Sequence, residues 1–176
     1  MINVVKRILR HSAVNPERVL LEWVSAAEAV RFAEVVTSFT GTIRELGPLS
    51  ADAQQDSAGQ QLKLKAALNA SNSEKLRWVA AKQTEFMKDG NRYGEVFTAH
   101  ETGRFLDGVI IEEMIIQQIL LLLQKQALSV ADIAGKIAVA PHMIFMFIMS
   151  LARKKMVEVA HVRGRDPLYQ LSKQPA

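Results

Sequence analysis

Residues 15–48, NPERVLLEWVSAAEAVRFAEVVTSFTGTIRELGP, read as one strand feeding one helix, and no second strand of that kind occurs before Val157. Arg18–Val24 is a short β-branched and aromatic run, the composition of a strand covered on both faces. Its N–H and C=O groups would stay open along both edges unless other strands flank it. With a short helix predicted over Ile2–His11, the first 49 residues therefore read as an incomplete α-β-α unit of the flavodoxin-like kind. The strand is expected to lie exposed or to pair with another chain.

Helix starts are marked elsewhere by a Ser or Thr followed three residues later by an acid that can cap reciprocally. The pairs are Ser25/Glu28, Ser71/Glu74, Thr98/Glu101 and Ser129/Asp132. The first opens a helix over about 26–46, with Val30, Phe32, Ala33, Val36, Phe39 and Ile43 near helical spacing and Gly47-Pro48 as the stop. Helices are expected over 51–70 and 73–89, a turn over Gly90–Gly94, and a broken helix from Thr98 leading into 112–126. The rest reads as helix 130–138, helix 141–155 opened by Pro141, and strands 156–161 and 167–171. The fold class is thus mainly α, with a small α/β N-terminal portion and a C-terminal winged helix-turn-helix. The expected units are 1–49, 50–104 (a helical connector) and 105–176.

Forty-nine per cent apolar and 23% charged residues describe an ordinary globular chain. Val109–Leu123 is the richest apolar stretch, yet Glu112, Glu113, Gln117 and Gln118 interrupt it, short of the ~18 apolar residues of a membrane span. No secretory signal is evident, so the expected location is the cytoplasm. The net charge of +4 is concentrated late, with six bases against two acids over 141–176. Such a patch attracts nucleic acid or an acidic protein surface alike.

The stretch NPERV…ELGP resembles the closing strand and helix of the delta-subunit family of methyl-viologen-reducing hydrogenases. LRWVAAKQ and GNRYGE resemble, less specifically, the region after the cluster domain in longer members. The resemblance implies an iron–sulfur protein that passes electrons to heterodisulfide-reductase-type flavoproteins, with its ligand cysteines upstream of the matched region. This sequence has no cysteine at all. Clusters are ligated by cysteine sulfur, so no cofactor is expected on this chain. The implied role is a non-catalytic scaffold subunit or fragment linking an electron-input enzyme to a heterodisulfide-reductase-like flavoprotein. The clusters would belong to a cysteine-bearing partner chain or to an upstream segment, for example one cut off where a selenocysteine codon is taken for a stop.

LSVADIAGKI and LARKKMVEV are similar to the winged-helix superfamily, in which the second helix reads the major groove with polar side chains. Here that helix is HMIFMFIM. Ile144, Ile148 and Leu151 share one face and should fill the core. Met146 and Met149 then face outward, with Met143 and Phe145 on the flanks, a greasy surface suited to protein rather than base edges. The candidate partner-binding residues are Met143, Phe145, Met146, Met149, Arg153 and Trp23. The rival reading is a winged-helix DNA-binding transcriptional regulator, with Arg153, Lys154, Lys155, Arg163 and Arg165 on phosphates.

No catalytic constellation is present. His11, His100, His142 and His161 stand far apart, no nucleotide-binding or hydrolase motif occurs, and adjacent Glu112 and Glu113 are expected to point in different directions. Trp78, on a helix, reads as a core or interface anchor.

Overall fold

The computed structural model describes residues 2–52, 57–91 and 93–173. It is mainly helical, with one small antiparallel sheet near the C-terminus: α1 (Ile2–His11), α2 (Ala29–Leu46), α3 (Ser57–Ser71), α4 (Glu74–Lys88), α5 (Ala99–Leu123), α6 (Val130–Ile137), α7 (Pro141–Arg153), β1 (Val157–Arg163) and β2 (Asp166–Leu171). One-turn 3-10 helices at Pro16–Arg18 and Leu49–Ala51 flank α2.

The organiser is α5. Its 25 residues run about 37 Å at the α-helical rise, and the helix is continuous where a break was expected. A complete capping box starts it: Thr98 Oγ1 accepts from Glu101 N–H at 3.2 Å and Glu101 Oε2 accepts from Thr98 N–H at 2.9 Å. Its first half, with Leu106, Val109, Ile110 and Met114, packs on Val4, Ala67, Ala70, Leu76 and Val79. Its second half, with Ile115, Ile119 and Leu123, packs on Ile133, Ile137, Ile144, Ile148, Leu151, Val157 and Tyr169. The position 104/105, expected as a unit boundary, therefore falls inside a helix that serves both apolar clusters. α3 approaches closely because Ala66 and Ala70 are small and fully buried. Gly103 has a similar role toward α1: a Cβ there would sit 2.5 Å from the Arg7 guanidinium, which donates to Gly103 O and to Asp107.

The Ser129/Asp132 box closes as expected, with bonds of 3.1 and 3.2 Å. Ser71 does not cap α4, because α3 runs through it and its hydroxyl donates back to Leu68 O at 2.7 Å; Ser73 takes the role, accepting from Leu76 N–H. At α2 half the box forms. Glu28 accepts from Ser25 N–H at 2.8 Å, but the helix starts only at Ala29. Part of the helix expected over 51–70 and Arg92 of the expected turn lie outside the described residues; the described helix there starts at Ser57.

α6 and α7 meet at 116° across Ala138–Ala140, with Ala138 left-handed at φ 54°. β1 and β2 pair from Val157↔Leu171 to Arg163↔Asp166, with an irregularity between Val159 and His161. Leu128 bridges the outer side of β2 by exchanging two bonds with Tyr169. No single helix among the described residues is long and apolar enough to cross a membrane.

The strand expected over Arg18–Val24 does not form. Arg18 ends the 3-10 turn, and although Val19 is extended, 19–25 forms no strand and has no ladder partner among the described residues. The physical reason is that nothing described lies beside these residues to exchange backbone hydrogen bonds.

Candidate functional site

The two ends of the segment 15–52 are joined by an ion pair. Arg18 Nε donates to Asp52 Oδ2 at 2.6 Å and its Nη2 to Asp52 Oδ1 at 2.9 Å. The same guanidinium donates to the carbonyls of Leu46, Gly47 and Pro48 at 2.9–3.1 Å. It thereby occupies the C-terminal carbonyls of α2, where a cation is also favoured by the helix dipole. Asp52 accepts in addition from Asn15 N–H at 3.0 Å, and Asn15 Oδ1 caps the 3-10 turn through Glu17 N–H. Both side chains of the pair are 11% exposed. The Arg18 hydrogen bonds, then that from Asn15, hold the Asp52 carboxyl down to about 2. NPER and ELGP, more than two dozen residues apart, are thus one physical clasp. Spacing gave no hint of it, because Asp52 lies beyond the quoted stretch.

Between the two ends of the clasp the chain presents apolar surface. Trp23 is 82% exposed, Val30 75% and Phe32 59%, with Leu20, Leu21 and Val36 also open. No residue of α2 is buried. An amphipathic helix normally hides its apolar stripe, and soluble monomers rarely leave large apolar patches in water.

On α7, Ile144, Ile148 and Leu151 are buried as expected. Met143, Phe145 and Met146 are exposed, Met146 most. Met149 differs from the expectation: it is half-buried against the C-terminal core rather than outward, because it follows Phe147 and Ile148 onto the flank of the packed face. Arg153 is exposed at the end of α7, together with Lys154, Lys155, Arg163 and Arg165. Trp23 is not part of this group, since it lies on the irregular segment before α2.

Glu112 and Glu113 differ in exposure, 43% against 10% for their side chains. Lys75 Nζ pairs with Glu112 at 2.8 Å and lies 3.8 Å from the buried Glu113, so the two carboxylates share one cation. The histidines stay apart: His11 bonds Asp107 at 3.1 Å, and His100, His142 and His161 are exposed. Among the described residues no three His, Asp or Glu side chains converge on a metal-sized site.

Residues 1–47 match the family model of the methyl-viologen-reducing hydrogenase delta subunit. Over 42 residues the chain is 52% identical to the F420-non-reducing hydrogenase iron-sulfur D subunit of Archaeoglobus profundus, covering 24% of this chain and 31% of that one. Stretches of 54 and 56 residues are 32% and 29% identical to the A subunits of two CoB-CoM heterodisulfide reductases, the ferredoxin-dependent enzyme of Methanosarcina mazei and the ferredoxin/F420H2-dependent enzyme of Methanosarcina acetivorans. These cover 31% and 32% of this chain and 7% of each relative. The chain thus spans about a third of the first relative and under a tenth of the others. No solved structure matches.

The iron–sulfur group in the first relative's name does not fit the residues here. Such clusters are held by thiolates, and the sequence has none.

Proposed function

We propose that this chain is a non-catalytic docking subunit, or segment of one, in a cytoplasmic electron-transfer assembly that joins an electron-input enzyme of the hydrogenase type to a heterodisulfide-reductase-like flavoprotein. The observation that carries the reading is that the stretch matching the delta-subunit family, 1–47, leaves Trp23, Val30 and Phe32 exposed, with no residue of α2 buried. In this proposal a partner supplies the missing layer. Its strands pair with the open backbone of 19–24, completing the flavodoxin-like unit by strand addition, and its side chains cover Trp23, Val30 and Phe32. The chain holds no cluster itself; cysteine-bearing sequence beyond these residues does.

The C-terminal unit contributes a second contact. Its helix pair at 116°, the Leu128 bridge and the β1–β2 hairpin support a winged helix-turn-helix, since helix-turn-helix pairs cross at about 90–120°. Its Met143, Phe145 and Met146 surface, rimmed by Arg153, suits a protein partner. The DNA-regulator reading is disfavoured because that helix offers base edges almost no polar side chain.

The test is co-purification with a flavoprotein of the heterodisulfide-reductase A type, with hydrogen exchange on the complex. The parent chain should be retained and the amides of 19–24 protected. The Trp23→Asp/Phe32→Asp double variant should bind at least ~100-fold more weakly, as expected for losing two buried anchors, with an unchanged melting curve. Failure of the parent chain to bind, or full binding by the variant, overturns the proposal.

A further inference from the structure

The end of α7 is built from a residue that its backbone conformation disfavours. Lys154 closes the helix and Lys155 follows it at φ 58°. Lys155 N–H donates to Ala152 O at 2.9 Å and Met156 N–H to Leu151 O at 3.0 Å, the paired bonds of a helix stop whose left-handed position is usually glycine. With a lysine there instead, Arg153, Lys154 and Lys155 form one exposed cationic run. The helix dipole amounts to about half a charge, so most of that positive charge is left unmatched. Among the described residues none of the three forms an ion pair, and the carboxylates nearest in sequence are committed, Asp132 to Ser129 and Arg163 and Glu158 to Gln170. Between those two acids, residues 133–157 carry four Lys or Arg and no Asp or Glu.

The cations continue the outward face of the helix. Met143, Met146, Ser150 and Arg153 follow one another at steps of three, four and three residues, so they share one side of α7, and all four are exposed. Phe145 is open beside them at 48%. The face is therefore apolar at one end and cationic at the other, over a 13-residue helix about 20 Å long. We propose that it pairs with an acidic amphipathic helix of the partner protein, whose apolar side chains lie on Met143, Phe145 and Met146 and whose carboxylates meet Arg153, Lys154 and Lys155. This rests on the reading of α7 as a protein-facing surface and adds the chemistry of what covers it. Methionine makes an adaptable apolar contact, and an amphipathic helix laid on an apolar face is a recurrent mode of recognition. The unmatched cations favour an acidic helix and repel a basic one. Duplex DNA fits worse, because its phosphates would match the cations but set three apolar side chains against polar groove edges.

The test uses the full 176-residue chain and a fluorescent helical peptide of about 18 residues, long enough to span α7, with Leu at i, i+3, i+4 and i+7 and Glu clustered at one end. Anisotropy should show saturable binding that weakens at least about 10-fold when the peptide's Leu residues become Ser or its Glu residues become Lys. The Arg153→Ser/Lys154→Ser/Lys155→Gly variant should lose affinity by a similar factor. Lys155→Gly alone should melt no lower than the parent, since glycine suits that φ, yet bind the peptide more weakly, which a purely structural lysine would not cause. The Trp23→Asp/Phe32→Asp variant should bind the peptide as the parent does, so that docking through α2 and pairing on α7 can fail separately. Unsaturable binding, full binding of the Ser-substituted peptide, or full binding by the triple variant overturns the proposal. So does tighter binding of a duplex of about 20 base pairs at the same salt, or a dimer of the chain that the triple variant abolishes.

Discussion

At the residue scale, the Arg18–Asp52 pair is the most consequential feature that no motif announced. An exposed ion pair contributes little, but this one is largely covered and also occupies three carbonyls at the end of α2 and a backbone N–H, so removing either partner orphans several groups together. Asp52 has its folded pKa depressed to about 2, against an unfolded value near ~3.9. Its contribution to stability is therefore fully present above about pH 4 and is lost as pH falls towards 2. Asp52→Asn should remove that acid dependence and loosen the N-terminal stretch, read as faster amide exchange in 15–19 and 44–48. Unchanged exchange at pH 7 would show that the clasp is not what holds α2. Legibility was uneven at this scale. Thr98/Glu101 and Ser129/Asp132 were readable because both partners are local. Asp52 and the Lys75 contacts with Glu112 and Glu113 were not, since each is defined by a neighbour distant in sequence.

At the element scale, helices were recovered more faithfully than the N-terminal strand. A helix satisfies its backbone within itself, whereas a strand needs a neighbour. β1 and β2 were legible because a short hairpin brings the neighbour with it. Amphipathic spacing places Ile144, Ile148 and Leu151 inward but misplaces Met149, because the width of the buried stripe depends on what packs against it. Met146→Lys should change stability by no more than about 0.5 kcal/mol, as an exposed substitution does. Met149→Lys should cost about 2 kcal/mol or more, because it drives an ammonium against the core. Thermal melts of the two single variants check this; equal melting temperatures would mean that the two positions are equally open. The break expected before Glu112 is absent although α5 contains Gly103 and Gly108. Packing along both halves of the helix outweighs the ~1 kcal/mol that each glycine costs it.

For the whole molecule, α5 determines whether the chain behaves as one cooperative body. Ile110 and Ile119 are both fully buried on this helix, one in each apolar cluster. Truncating either to Ala should cost about 2–5 kcal/mol and lower the same single transition, because a rigid helix shared by both clusters couples them. Two separated transitions in calorimetry, each responding to only one substitution, would show that the clusters unfold independently. α2 should not report on that transition, since it contributes no buried side chain.

The sequence alone determined the helical character, most helix starts and the hairpin, because those depend on local capping and periodicity. It also determined that no thiolate is available, which rules a cysteine-ligated cluster out of these residues whatever the fold. Tertiary structure decided the rest: that 19–24 finds no strand partner among the described residues, that α5 joins two cores, and that NPER and ELGP close on Asp52. Each depends on groups far apart in the chain meeting or failing to meet, and that is fixed by the balance of burial and hydrogen bonding over the whole molecule rather than by any local pattern.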